Sequence, residues 1–360
     1  MSQPAVRTRI TRLFGCRYPL VLPGMSWIST PELVAAVSNA GGVGILATGP
    51  LTASETREAI RRIRTATDKP FGIGATLLMP GAKENAQVAL DEQVPIINIS
   101  LGKADWIANA AHSYGGKILS TVTNKKHAAA AIEAGADAVM VTGHEAAAHG
   151  GDVTSLVLIP AIAEHFPEIP IVAAGGFANG RGLAGALALG ADAVAMGSRF
   201  ATTQESPLAH AVKEAIVKSN ESNTIYGSNF DGIPARVLKT PRSEKLMKSK
   251  PFIGTTIYRA FQAADKMKLP LWKVLPGLIA QWDKMFMVAQ FGAATEALMA
   301  ATVDGKLDEG VQFIGQSHGM IHDIPLVEDL VQRIIAEARE ITYRQSSVFD
   351  DFTESMERNA

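Results

Sequence analysis

The chain has 360 residues, of which 47% are hydrophobic and 19% charged, a composition typical of a globular protein with a large core and not of a disordered chain. Its formal net charge is −1 and no stripe of lysine and arginine is present, which argues against binding to nucleic acid through phosphate neutralisation. The single cysteine cannot form an internal disulfide and favours a reducing compartment.

The N-terminal stretch MSQPAVRTRITRLFG lacks the apolar core of a signal peptide. No window of the sequence carries the run of about 18 apolar residues that a membrane span requires. We therefore expect a cytoplasmic protein that does not enter a membrane.

Short apolar runs, each followed by an Ala-rich amphipathic segment, alternate along the first part of the chain. The predicted strands are YPLVLPGM (18–25), GVGILA (42–47), FGIGATLL (71–78), PIINIS (95–100), GKILSTV (116–122), ADAVMVTG (136–143), IPIVAAGG (169–176) and ADAVAMGS (191–198). Helices are predicted at 31–40, 52–67, 104–113, 124–134, 153–165 and 180–189.

Strands that are apolar throughout are typical of a parallel sheet covered on both faces. Eight strand–helix units in roughly 200 residues match the count and the length of a (β/α)8 barrel. The predicted fold class is therefore α/β, a TIM barrel, with a doubly wound open sheet as the alternative.

The sequence pattern changes after residue 205, where a polar, turn-rich stretch precedes a helical region with tryptophan and methionine. We predict the barrel at 1–210 and 302–345. A mainly helical insertion is predicted at 211–301, covering the active-site face, and a polar tail at 346–360. A helix over 325–340 is expected to complete the outer ring of the barrel.

The stretch TGHEAAAHGGD (142–152) is similar at first sight to the zinc-binding motif HExxH. That motif places histidines at i and i+4 on one helix face. Here His144 and His149 are five residues apart, and the Gly150-Gly151 pair that follows ends a helix more readily than it continues one. We therefore predict no metal site, and the role of His149 has to be found elsewhere.

Small residues follow the seventh and eighth predicted strands. Gly175-Gly176 precedes Asn179, a candidate helix N-cap, and Gly197-Ser198 comes directly after strand eight. In (β/α)8 barrels the loops after these two strands often hold a phosphate, bound by backbone N–H groups at a helix N-terminus. The serine hydroxyl can donate a further hydrogen bond. The predicted ligand carries a single phosphate, as flavin mononucleotide (FMN) or a sugar phosphate does.

These motifs together resemble the nitronate monooxygenase family, FMN enzymes on a (β/α)8 barrel that are related to NADH:quinone reductases and FMN-dependent enoyl-ACP reductases. The matching stretches are PGMSW (23–27), NAGGVGIL (39–46), FGIGATLLMP (71–80), HEAAAHGG (144–151), IVAAGGFANGRGLAGALALGADAVAMGSRF (171–200) and GQSHGMI (315–321). They cover nearly the whole chain, and the block at 171–200 is the most specific.

The resemblance implies FMN as the cofactor and His149 as the catalytic residue. It also implies a set of cofactor-binding residues, and these are Gly24, Met25, Thr76, Thr121, Gly150, Gly151, Gly175, Gly176, Gly197, Ser198 and Gln316.

The chain departs from the family pattern in several places. It has LPGM (22–25) where many relatives have Gln-Gly-Gly-Met or Gln-Ala-Pro-Met. Gly74 stands where some have Asn, Thr121 where some have Lys, and Thr142 where some have Asp. A missing lysine near the flavin would reduce the stabilisation of anionic reduced flavin. The departures bear on the substrate class and the reductant more than on the cofactor.

The activity that the resemblance implies is FMN-dependent oxidation of alkyl nitronates with dioxygen to carbonyl compounds and nitrite, with nitroalkanes as further substrates. His149 would remove the proton from the carbon next to the nitro group, because the pKa of imidazole lies near the operating pH. The expected partners are a small-molecule substrate and dioxygen, with neither nucleic acid nor membrane. A homodimer is left open.

Two alternatives use the same barrel. One is NAD(P)H-dependent reduction of a quinone or an enoyl thioester on the same FMN, with the basic stretch 236–250 as a candidate site for a nucleotide or thioester phosphate. The other is a flavin-free isomerase, synthase or aldolase that uses the phosphate site for its substrate.

Overall fold

Eight parallel strands close into a barrel in the computed structural model, which describes residues 6–102, 105–147, 149–230, 233–248 and 294–357. Each strand pairs with the next along the chain, and β1 pairs with β8. This closure confirms the predicted (β/α)8 barrel and excludes the doubly wound open sheet, which would leave two edge strands. The strands are β1 (Leu20–Leu22), β2 (Val43–Ala47), β3 (Gly72–Thr76), β4 (Ile96–Ser100), β5 (Lys117–Val122), β6 (Ala138–Thr142), β7 (Ile171–Ala174) and β8 (Ala193–Ala195).

Helices alternate with the barrel strands, and two more helices follow them along the chain. The first nine are α1 (Arg9–Phe14), α2 (Pro31–Asn39), α3 (Ala53–Ala66), α4 (Ala82–Asp91), α5 (Asp105–Ser113), α6 (Lys125–Glu133), α7 (Ser155–His165), α8 (Gly180–Ala188) and α9 (Gly197–Ala201), and the two that follow the barrel strands are α10 (His210–Lys218) and α11 (Pro241–Lys248). None of the described helices is both long enough and apolar enough to span a bilayer.

Side chains at the helix starts explain several of these boundaries. Asn179 caps α8 as predicted, because its side chain accepts a hydrogen bond from the Gly182 amide at 3.0 Å. Thr52 and Glu55 form a capping box at the start of α3, each side chain bonding to the backbone of the other residue. Such caps satisfy amides that the first helical turn leaves without a partner.

The interior of the barrel is filled with aliphatic side chains and is closed at its N-terminal end. Ile10 and Phe14 of α1, a helix that the sequence analysis does not predict, pack into the same buried cluster as the side chains inside the strands. Arg9 of α1 forms a two-point ion pair with Asp192, with N–O distances of 2.8 and 2.7 Å. Because Asp192 immediately precedes β8, this pair fixes α1 over the N-terminal end. The opposite, C-terminal end of the barrel is the end at which barrel enzymes carry their active sites.

A smaller unit follows the barrel strands. The segment predicted as mainly helical contains α10 and α11 and also an antiparallel hairpin of β9 (Thr224–Gly227) and β10 (Ala235–Leu238). Much of its predicted helical region, 249–293, lies outside the described residues.

The chain then returns to the barrel. A 3-10 helix at Gln316–Met320 precedes a C-terminal helix, Val327–Glu357, that packs on α8 and α2. This last helix extends well into the segment 346–360 that the sequence analysis assigns to a polar tail.

Candidate active site

The predicted site residues lie at the C-terminal end of the barrel or in a turn packed on it, the end where barrel enzymes carry out their chemistry. Gly24 and Met25 follow β1, Thr76 ends β3, Thr121 lies near the end of β5, His149, Gly150 and Gly151 lie between β6 and α7, Gly175 and Gly176 follow β7, Gly197 and Ser198 open α9 after β8, and Gln316 opens the 3-10 helix.

The turn after β7 can be made only by glycines. Gly175 and Gly176 have φ angles of +90° and +88°, a region that other residues rarely adopt. A Cβ atom on Gly175 would lie 3.0 Å from the amide nitrogen of Ala146. The turn therefore packs its bare backbone directly against the segment that follows β6.

The turn after β8 is tied to two distant segments. The Ser198 hydroxyl accepts a buried hydrogen bond from the Gly315 amide at 3.1 Å. A Cβ atom on Gly197 would lie 3.3 Å from the sulfur of Met25. The amides of Gly197 and Ser198 belong to the first turn of α9, where a helix supplies no partner.

These two neighbouring turns, Gly175-Gly176 and Gly197-Ser198, are named here the phosphate cradle. Strands β7 and β8 are paired, so the turns that follow them are adjacent. The cradle offers backbone amides, a serine hydroxyl and bare glycine backbone that a side chain would fill. These residues fit the phosphate of a flavin.

The segment between β6 and α7, residues 143–154, is named here the His149 loop, and its first half is held by the partly buried carboxylate of Glu145. Glu145 accepts a hydrogen bond from the Ser155 amide at 2.9 Å. The Ser155 hydroxyl lies 2.7 Å from the carbonyl oxygen of Gly175, to which it donates. The backbone oxygen of Glu145 accepts from the Gln316 amide at 2.9 Å. Glu145 thus joins the His149 loop to the cradle and to the 3-10 helix.

His149 is half-buried and meets an aromatic residue of the smaller unit. Its ring centroid lies 6.0 Å from that of Phe313, in an edge-on arrangement. Phe313 in turn lies edge-on to Phe230 at 5.6 Å. Both phenylalanines belong to an apolar cluster that also includes Trp27 of the barrel. The imidazole therefore has an apolar neighbour on the side of the smaller unit.

His144, at the start of the His149 loop, has a structural set of contacts. Its Nδ1 lies 3.0 Å from the carbonyl oxygen of Gly151, and its ring is edge-on to Tyr226 with centroids 4.6 Å apart. Its backbone oxygen accepts from the guanidinium of Arg236. Arg236 belongs to the basic stretch 236–250, but it is only 4% exposed, so it does not face an incoming nucleotide.

A neutral hydrogen-bonded pair occupies the ends of β4 and β5. The Asn98 amide donates to the Thr121 hydroxyl at 3.1 Å and to the Leu119 carbonyl at 2.9 Å. On the adjacent strand, Thr76 accepts from the Ser100 hydroxyl at 3.1 Å. Thr121 stands where some relatives carry lysine, so this position supplies a hydroxyl and no positive charge.

Several residues of this site are not found by the sequence analysis. They are Glu145, Ser155, Tyr226 and Phe313. Arg236 is included in the basic stretch 236–250, expected to receive a phosphate, and in the structure it is buried instead. Glu145 lies within the motif HEAAAHGG that the sequence analysis quotes. Arg236 lies in the otherwise apolar run ARVL, which is a local sign of a buried cation. Nothing local to Tyr226 or Phe313 indicates that they lie beside the His149 loop.

A model of the nitronate monooxygenase family matches residues 7–337. The chain belongs to this family. Nitronate monooxygenase family enzymes are flavin-dependent oxidoreductases, so membership fits the phosphate cradle and makes the flavin-free alternatives untenable.

Three proteins that are similar to this chain align with nearly its whole length. The (3aS,4S,5R,7aS)-5-hydroxy-7a-methyl-1-oxo-octahydro-1H-indene-4-carboxyl-CoA dehydrogenase of Rhodococcus jostii is 36% identical over 344 residues, 92% of this chain and 96% of that protein. FabK from Thermotoga maritima is 34% identical with a TM-score of 0.80, covering 96% of this chain and 100% of that one. The nitroalkane oxidase of Streptomyces ansochromogenes is 26% identical with a TM-score of 0.75, covering 93% and 99%.

Proposed function

We propose that this chain is an FMN-dependent oxidoreductase of acyl thioesters carried on coenzyme A or on an acyl carrier protein. Two relatives that align over nearly their full length support this substrate class. One is named a carboxyl-CoA dehydrogenase, and the other, FabK, is an FMN enoyl-ACP reductase. Thioester chemistry is the alternative that the family resemblance implies beside nitronate oxidation.

The observation that carries the proposal is the opposition of two surfaces across the barrel mouth. The phosphate cradle follows β7 and β8, whereas Leu78, Leu101 and Trp106, which are 59%, 39% and 37% exposed, follow β3 and β4. In a closed barrel of eight strands, strands four apart face each other across the axis.

The three side chains Leu78, Leu101 and Trp106 are named here the apolar rim. All three residues follow β3 or β4 on the C-terminal side, and exposed large apolar side chains at the mouth of a barrel are typical of a ligand-binding surface. An acyl chain would bury them, whereas a small nitronate anion would not. The apolar rim therefore favours a substrate with a substantial apolar body.

FMN is the proposed flavin because the family resemblance implies it and because a single phosphate would fit against the two turns of the cradle. In this proposal Gly175, Gly176, Gly197 and Ser198 bind that phosphate, and a flavin held there supplies the acceptor or donor of a hydride. The remaining predicted residues would border the rest of the cofactor, and they are Gly24, Met25, Thr76, Thr121, Gly150, Gly151 and Gln316.

His149 is proposed to handle the proton at the carbon next to the thioester carbonyl. On oxidation the imidazole removes this proton, and on reduction it returns it to the same carbon. The adjacent carbon exchanges the hydride, so a single bond becomes a double bond or the reverse. The His149 loop follows β6, between the cradle strands and the rim strands in barrel order, and this order supports the assignment of the base to His149.

Nitronate oxidation is the second candidate. The match to the nitronate monooxygenase model and the likeness to a solved nitroalkane oxidase favour it. With a neutral nitroalkane as substrate, His149 would remove the proton from the carbon next to the nitro group, whereas a pre-formed nitronate has already lost it; dioxygen would be the co-substrate. The proton chemistry is the same in both candidates because a nitro group and a thioester carbonyl both acidify the neighbouring C–H bond.

The deciding experiment mixes the flavin-loaded protein anaerobically with octanoyl-CoA and, separately, with ethyl nitronate, and follows flavin absorbance. We expect octanoyl-CoA to bleach the flavin, or 2-octenoyl-CoA to reoxidise flavin that NAD(P)H has reduced. Bleaching of the flavin by ethyl nitronate alone, with oxygen uptake and nitrite release when the same mixture is aerated and no reaction of either thioester, would instead establish the second candidate.

The same assay tests His149. We expect His149→Asn to lower the rate of the thioester reaction by about 10²- to 10⁴-fold, the usual contribution of a general base. His165→Asn is the matched control, because His165 also lies edge-on to a phenylalanine but at the far end of α7. Equal effects of the two substitutions would remove His149 from the mechanism.

A further inference from the structure

We propose that the β9–β10 hairpin is a positioning element for the His149 loop, and that Arg236 and Tyr226 are the positioning residues that hold the catalytic imidazole in place. The inference rests on the proposed function, in which His149 acts on a C–H bond. Neither residue is expected to touch the substrate.

Arg236 fixes the start of the His149 loop. Its Nε and one terminal nitrogen lie 3.3 and 3.0 Å from the backbone oxygen of His144, and its other terminal nitrogen donates to the Thr224 hydroxyl at 3.0 Å. Burial lowers the pKa of this guanidinium, and the charge of Glu145 opposes the shift. A buried arginine that binds a carbonyl and a hydroxyl in place of a carboxylate is costly to desolvate. Its fork of donors joins the hairpin to the loop in a fixed geometry.

Tyr226 fixes the other half of the loop. Its hydroxyl donates to the backbone oxygen of Gly150 at 3.1 Å, one residue after His149. Burial, with a smaller effect of Asp152, raises the pKa of Tyr226, so the hydroxyl stays protonated and continues to donate. The ring packs edge-on against His144. Tyr226 therefore contacts the loop on both sides of the catalytic residue.

The two residues act as one unit because the hairpin register places them opposite each other. Arg236 pairs with Tyr226 across the β9–β10 ladder, and the guanidinium carbon lies 5.2 Å from the centre of the tyrosine ring. This cation–π contact fixes the arginine fork while the fork fixes His144. The loop is thus bound at both ends by a single rigid pair from the smaller unit.

Such a pair matters because proton transfer depends steeply on distance. A displacement of about 1 Å in a reacting group can cost about 100-fold in rate. A loop held only at the ends of β6 and α7 would leave its middle free to move. The hairpin contacts on His144 and Gly150 bracket His149 and limit that movement.

The test compares Tyr226→Phe and Arg236→Lys with Tyr114→Phe as holoenzymes. Tyr114 is a matched control, because its hydroxyl also donates to a backbone carbonyl, that of Val94, at 3.1 Å, but between α5 and β4 at the other end of the barrel. Amide hydrogen exchange of the peptide 143–154 reports the loop directly. Steady-state kinetics and the isotope effect with octanoyl-CoA deuterated next to the carbonyl report the chemistry.

We expect Tyr226→Phe to accelerate amide exchange in the loop and to lower kcat, each by about threefold to tenfold, the usual effect of one hydrogen bond. Arg236→Lys should lower kcat by about tenfold to 100-fold, because a single ammonium group cannot reproduce the fork. In both variants KM and flavin affinity should stay within about twofold and the isotope effect should rise. Tyr114→Phe should change none of these quantities.

Unchanged exchange in Tyr226→Phe, or a kcat and isotope effect equal to those of the wild type, would overturn the positioning role. Loss of thermal stability with normal kcat in both variants would show a purely structural hairpin. Absence of wild-type turnover with octanoyl-CoA and with 2-octenoyl-CoA would refute the proposed function alone. The exchange measurement needs no substrate, so it decides separately whether the hairpin holds the loop.

Discussion

Replacing Ser198 by alanine probes the phosphate cradle at the one side chain that connects it to the rest of the site. The hydroxyl is buried and accepts from the Gly315 amide at 3.1 Å, while its own proton remains available to a ligand. Ser198→Ala should therefore have two separable effects. One is on the stability of the protein without flavin, and the other is on the affinity for FMN.

The size of each effect follows from the contact that is lost. Removing the acceptor leaves the Gly315 amide buried without a partner, which costs about 1–3 kcal/mol of folding free energy. Removing a hydroxyl that donates to a phosphate costs about 1.5–3 kcal/mol of binding free energy, or about tenfold to 150-fold in Kd. Differential scanning fluorimetry of the apoprotein measures the first effect, and quenching of flavin fluorescence on titration measures the second.

Ser206→Ala is the matched control. Its hydroxyl is also buried and accepts a backbone amide, that of Leu208, at 3.2 Å, but it lies away from the cradle. We expect this variant to lose stability while keeping the wild-type Kd for FMN. A wild-type Kd in Ser198→Ala, with the expected loss of stability, would mean that no phosphate lies against this hydroxyl.

Two further predictions concern titratable groups. Burial raises the pKa of the Cys16 thiol to about 12, so the folded protein should resist iodoacetamide at pH 8 whereas the unfolded chain reacts; rapid alkylation of native protein, read by mass spectrometry, would contradict this. Burial also lowers the pKa of His318 below its ordinary value of 6.5. As the pH drops below about 6.5, the unfolded chain takes up a proton at this histidine before the folded protein does, so the free energy of unfolding decreases. The melting temperature of the wild type should therefore decrease more steeply between pH 7.5 and 5 than that of His318→Gln, whose amide can still donate to the Gly315 carbonyl, and parallel curves would refute the assignment.

The barrel could be predicted from the sequence because its signals are local. Each strand is a continuous apolar run, and the turns that follow β7 and β8 require residues such as Gly175 and Gly176 that take positive φ angles. Asn179 also predicts the start of α8 from the local sequence, because its side chain caps the first turn of the helix. The helix α1 has local signals too, with a capping box at Thr8 and a left-handed Gly15 after its end, but its position over the barrel depends on the long-range ion pair of Arg9 with Asp192.

The contacts around His149 could not be predicted from the local sequence. The sequence places the imidazole before a Gly-Gly pair, but its neighbour Phe313 lies more than a hundred residues further along the chain. The basic stretch 236–250 is a candidate surface for phosphate by composition alone. In the structure Arg236 points into the protein and binds a carbonyl, because residues in β10 alternate between the two faces of the hairpin. The number of charged residues in a stretch does not indicate whether a side chain points into the protein or toward solvent.

The His149 loop contacts both the barrel and the smaller unit. Its anchors come from β7 through the Ala174 carbonyl, from the 3-10 helix through the amide of Gln316, and from the hairpin through Arg236 and Tyr226. A loop that carries a base needs freedom to admit substrate and enough restraint to place a nitrogen atom within hydrogen-bonding reach of a C–H bond. Anchors on both sides of His149 supply the restraint, and the His149 side chain is only half-buried. In the proposed function the barrel therefore supplies the cofactor cradle, and the smaller unit restrains the loop that carries His149.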